Sequence, residues 1–73
     1  MSSPDELQHT RLMDAADAAL QAVVEVAELL NGSYVPPPRM MGSAIQPPCL
    51  AEFTMVEVQE ATAFLVRLGF LPA

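Results

Sequence analysis

Ser3-Pro4-Asp5-Glu6 at one end and Asn31-Gly32 at the other enclose LQHTRLMDAADAALQAVVEVAELL, residues 7–30, and the reading of that stretch decides the fold. Ser3 can cap a helix, Pro4 suits a first turn that needs no amide donor, and Glu6 stands three residues after the cap, where a capping box closes. Asp5 and Glu6 also meet the positive end of the helix dipole. Asn31-Gly32 supplies the left-handed stop. No proline or glycine interrupts the interval, and alanine and leucine dominate it. The pattern predicts one helix over about 4–31, with the whole 3–32 stretch spanning about 42 Å if unbroken.

Three lines of residues run along this helix. His9, Met13, Ala16, Leu20, Val23, Ala27 and Leu30 recur at alternating spacings of four and three, which aligns them on one side. Leu12, Ala15, Ala19, Ala22, Val26 and Leu29 form a neighbouring apolar line, rich in small residues that let another backbone come close. Asp14, Asp17, Gln21, Glu25 and Glu28 make a third line that is wholly polar. An ordinary surface helix has one apolar stripe; two adjacent seams predict a partner helix beyond the chain's own. The Leu12–Ala15–Ala19–Ala22–Val26–Leu29 line is the expected self-association seam.

Composition points the same way. A chain of 73 residues buries only about 60 % of the surface its unfolded form exposes, and small domains of this kind add disulfides, a metal or a second copy. One cysteine, Cys49, leaves no internal disulfide framework, and one histidine argues against a Cys/His zinc site. A homodimer is the expectation. Nine acids against Arg11, Arg39 and Arg67, with no lysine, give a net charge of −6. That balance argues against direct binding to nucleic acid or to anionic membrane and favours a protein partner with a basic surface. Glu25 and Glu28 interrupt the most apolar run, so no membrane span is expected. The polar, acidic amino end does not resemble a secretory leader, and with the unpaired cysteine it predicts a cytoplasmic protein.

Past Gly32 the composition changes. Residues 33–53 hold five of the seven prolines and lack helical or alternating periodicity, which predicts a stiff, extended, polyproline-like connector. It carries Tyr34, Val35, Met40, Met41, Ile45, Cys49, Leu50 and Phe53, too many apolar anchors for a disordered linker. They either fold back on the first helix or present Tyr34, Pro36, Pro37, Pro38, Arg39 and Met40 as an extended ligand.

A second helix follows over about 55–68. Thr54 and Glu57 form another capping box, with Phe53 placed to staple onto Val58. Gly69 and Pro72 end it, with Phe70 placed to contact Leu65. Val58, Ala61, Leu65 and Leu68, widened by Phe64, are its expected buried line. The whole is a single all-α domain over 1–73: a long N-terminal helix and a shorter C-terminal one joined by the proline-rich segment, self-associating as a helical bundle.

No catalytic site is legible. Cys49 lacks a neighbour that would lower its pKa and reads as a small core hydrophobe, and His9 reads as a seam residue. Asp14/Asp17 and Glu25/Glu28 have the spacing of carboxylates in di-metal bundles but lack the Glu-x-x-His those sites use. No cofactor and no metal are expected. The favoured reading is a non-enzymatic regulator, a helical hairpin that self-associates and offers Asp14, Asp17, Glu25 and Glu28, or the proline segment, to a protein. The alternative is an acidic inhibitor occupying the basic groove of a nucleic-acid-handling protein, by analogy of size and charge with phage and mobile-element regulators. A third is a carrier or enzyme whose methionines line a cavity between helices.

Overall fold

A computed structural model of the chain describes residues 4–72, with side chains described from residue 10 onward. The expected cap at Ser3 with Glu6, and the side chain of His9, lie outside the described residues. Three α-helices and a 3-10 turn make up the regular structure: α1 Pro4–Leu29, α2 Pro37–Met40, the 3-10 turn Pro48–Leu50, and α3 Met55–Arg67. The described residues contain no strand.

Both long helices end where local chemistry stops them. At the end of α1, Asn31 (φ 59°) and Gly32 (φ 91°) turn left-handed, and the Gly32 N–H donates to the Ala27 carbonyl at 2.6 Å. Asparagine accepts that conformation better than bulkier residues. At the start of α3, the Glu57 N–H donates to Thr54 Oγ1 at 3.2 Å and the Thr54 N–H to Glu57 Oε1 at 2.9 Å, closing the capping box. At its end Gly69 sits at φ 83°, while Phe70 N–H donates to Leu65 and Gly69 N–H to Val66, the pair of bonds that defines a Schellman stop. The residue that then enters the core is Leu71. Phe70, expected to contact Leu65, is 63 % exposed, and Leu68, expected to be buried, is 55 % exposed because it falls at the helix end.

The connector departs from expectation. Instead of an extended polyproline crossing, residues 33–53 fold into α2 and the 3-10 turn, with tight turns between them. Pro36 (φ −60°, ψ 136°) and Pro47 (φ −70°, ψ 151°) keep polyproline geometry, but each stands as the cap of a helical turn that begins with the next proline. A proline there gives up no hydrogen bond and comes with its φ preset. Between the two turns, Ser43 Oγ donates to the Met40 carbonyl at 2.6 Å and the Gly42 N–H to Gln46 Oε1 at 2.6 Å.

One core joins all four elements. Ala15, Ala16, Ala18, Ala19, Ala22 and Val26 of α1 meet Met40, Leu50, Phe53, Val58, Ala61, Leu65 and Leu71. α1 packs chiefly on α3 and on the 3-10 turn, and α2 packs on α3. Cys49 Sγ reaches the Ala18 carbonyl at 3.5 Å, whereas Arg11 reaches Glu57, so the chain runs back along α1 before α3 begins. α3 therefore starts beside the first half of α1, and the two are not joined as a tight hairpin. The molecule measures 45 × 24 × 15 Å, its long axis matching the length of α1.

Candidate interaction surface

The alanine line of α1 is not open to another chain in this fold. Ala15, Ala19, Ala22 and Val26 are 0–2 % exposed, and Leu12 is half-buried. The small side chains of the Leu12–Leu29 line, expected to form a self-association seam, here admit the chain's own helix and 3-10 turn. Leu29, past the reach of that cover, is the one exposed member, at 65 %.

The other apolar line remains partly bare. Met13, Val24 and Leu30 are 42, 57 and 36 % exposed, while Leu20, Val23 and Ala27 are half-buried and Ala16 is buried. Val24 was outside the sequence-based line, but on a 3.6-residue helix it stands one turn after Leu20, on the same side. From Met13 to Leu30 the stripe runs about 25 Å.

The acidic line is where the sequence puts it. Asp14, Asp17, Glu25 and Glu28 are all exposed, and Gln21 Nε2 donates to Glu25 Oε1 at 3.3 Å. Asp17 and Glu28 border the bare stripe, whereas Asp14 shares a cleft with Cys49 and Phe53 and Glu25 lies within electrostatic reach of the Cys49 thiol. Of the possible ligand segment in the connector, Met40 has no exposed surface and Pro37 is buried, because both plug the core. Tyr34 and Arg39 are exposed, and Pro36 and Pro38 half-buried.

Arg11 is the group whose role the sequence did not disclose. Its Nε donates to Glu57 Oε2 at 2.5 Å and its Nη2 to Glu57 Oε1 at 3.2 Å and to the Glu52 carbonyl at 2.8 Å, while the guanidinium lies 4.6 Å from the Phe53 ring centre. The Arg11 bond, then the Thr54 N–H, hold the Glu57 carboxyl down at about 2. One side chain thus ties α1 to both the end of the connector and the first turn of α3. Partners 41 and 46 residues away leave no local sequence signal.

Two clefts lie beside this clasp. One of about 300 Å³ is lined by Arg11, Leu12, Ala15, Glu57 and Glu60; the other, about 320 Å³, has Asp14, Asp17, Cys49 and Phe53 among its walls. Neither is lined by methionine. Burial, and after it Glu25, push the Cys49 thiol up, away from the thiolate a nucleophile needs. Among the described residues, no group of three or more His, Cys, Asp or Glu side chains could hold a metal ion, and no helix is long and apolar enough to cross a membrane.

The geometry defines a small all-α chain whose α1 has a partly bare face with an acidic border. No family model, curated protein or solved structure matches it.

Proposed function

We propose that this chain is a non-enzymatic protein-interaction module that takes its partner on the bare α1 stripe, centred on Met13, Leu20 and Val24. The supporting observation is the alignment of exposure. Single exposed hydrophobics are ordinary, but Met13, Val24 and Leu30 share one face of one helix with half-covered Leu20, Val23 and Ala27 between them. Such a row at alternating spacings of four and three suits packing against another helix. The homodimer expected from the sequence has this stripe, and not the alanine line, to use.

Selection from a displayed library of helical peptides tests the reading. The wild-type chain is expected to enrich helices with one apolar seam, and the Met13→Glu/Val24→Glu variant, with an unchanged circular dichroism spectrum, to enrich none. Equal enrichment by both proteins would overturn the reading.

A second reading keeps the alternative from the sequence, in which exposed Asp14, Asp17, Glu25 and Glu28 occupy a basic groove of a nucleic-acid-handling protein. It is favoured by the exposure of all four carboxylates and by the lack of lysine to relieve them. Asp17→Lys with Glu25→Lys would abolish such binding, whereas Met13→Glu/Val24→Glu would spare it.

A further inference from the structure

We infer that the occupant of the α1 stripe is an amphipathic helix of a partner protein carrying Lys or Arg along one edge of its apolar seam, and not a second copy of this chain. The inference rests on the interaction reading above and adds the chemistry of the partner. Numbered as heptads, Met13, Leu20 and Ala27 take one core position, and Ala16, Val23 and Leu30 the other. Matching that period over about 25 Å calls for another helix.

The two edges of the stripe differ. Along one edge Leu12, Ala19 and Val26 are turned into the chain's own core, half-buried, 0 % and 2 % exposed. Along the other stand Asp17 and Val24, with Asp14, Gln21 and Glu28 in the next row, all exposed. On α1 the positive side chain among those described is Arg11, whose electrostatic reach extends to Asp14. Arg11, the only arginine on that helix, is engaged with Glu57, and the chain has no lysine. An incoming helix therefore meets an apolar floor and one negative wall.

A second copy fits this shape poorly. A two-fold antiparallel pairing lays each edge against itself, so the acidic edges and the Asp14/Glu28 rows of the two copies converge, between chains of net charge −6. A parallel pairing lays the acidic edge of one copy against the edge that α3 already occupies in the other. A basic-edged helix meets neither obstacle, and opposite charges at such flanking positions set partner choice and orientation.

Three synthetic helical peptides of equal length, sharing one leucine seam and bearing Lys, Gln or Glu along one edge, test the inference by fluorescence anisotropy with the full chain. The expected order of affinity is Lys over Gln over Glu. The Lys advantage should shrink as salt rises and fall about fivefold in Asp17→Asn/Glu28→Gln, while Glu52→Gln/Glu60→Gln leaves it in place. Equal binding of the three peptides, abolished by Met13→Glu/Val24→Glu, would overturn the charge assignment while sparing the interaction reading. A dimer in sedimentation that the same stripe variant disperses would also overturn the basic-edged occupant and leave the interaction reading intact. Failure of all three peptides in 50 mM salt would overturn both.

Discussion

Substituting Ala19→Glu separates a buried alanine face from an associating one. Ala19 has no exposed surface. A carboxylate there stands unpaired in the core at a cost of about 3–5 kcal/mol, and the added volume overpacks the α1 contact by about 1–3 kcal/mol more. A domain of 73 residues holds only about 4–11 kcal/mol in total. The substitution is therefore expected to remove most of the fold's stability. Val24→Glu, at a position 57 % exposed, is the matched control and should change stability by no more than about 0.5 kcal/mol. Thermal melting by circular dichroism reads the contrast: Val24→Glu melts within a few degrees of wild type, and Ala19→Glu melts at least about 20 °C lower or shows no cooperative transition at 25 °C. Were the alanine line an interface between copies, Ala19→Glu would give a folded, cooperative monomer. That result would refute the assignment of Ala19 to the core.

Three further outcomes follow from particular contacts. Glu57 has its carboxyl held at about 2 against an ordinary 4.5, so its contribution is fully present above pH 4.5 and is lost as pH falls through about 2. Glu57→Gln should accordingly lower Tm at pH 6 and leave it nearly unchanged at pH 2; an NMR titration that finds Glu57 at its ordinary value would contradict this. Gly69→Ala places a side chain at φ 83° with no atom within 4 Å of the new Cβ, so the cost is purely conformational, about 1 kcal/mol, read as a Tm lower by about 4–8 °C. Met40→Ala should cost about 2–5 kcal/mol in urea denaturation, since Met40 is fully enclosed; a change under about 0.5 kcal/mol would mean that residues 34–41 stand away from the core.

What could be read from the sequence was local. Thr54 with Glu57, Gly69 and Asn31-Gly32 mark helix ends because each acts on hydrogen bonds within a few residues of itself, and those ends are where the motifs put them. The acidic line was legible because five polar residues in register leave no other side for water. Which apolar line turns inward was not, since both obey the same period. The choice falls to the line whose alanines let α3 and the 3-10 turn approach, a fact about distant packing. The prolines misled for a related reason: Pro36-Pro37-Pro38 and Pro47-Pro48 favour an extended chain and also the first turn of a helix, and burial of Met40 and Leu50 selects the turn. Arg11 gave no sign at all, because its partners come together only once the connector has folded back.

The central claim is that one copy of the chain encloses the alanine face of α1 by itself and leaves the Met13–Leu30 side open. Thiol labelling tests it directly, with Ala22→Cys and Val24→Cys compared in a Cys49→Ala background over a hundredfold range of protein concentration. Val24→Cys is expected to react at nearly the rate of an unfolded peptide, and Ala22→Cys at least about a hundredfold more slowly at every concentration, as opening of a marginally stable core dictates. Equal rates at low concentration, with protection of Ala22→Cys emerging only as the protein is concentrated, would contradict it.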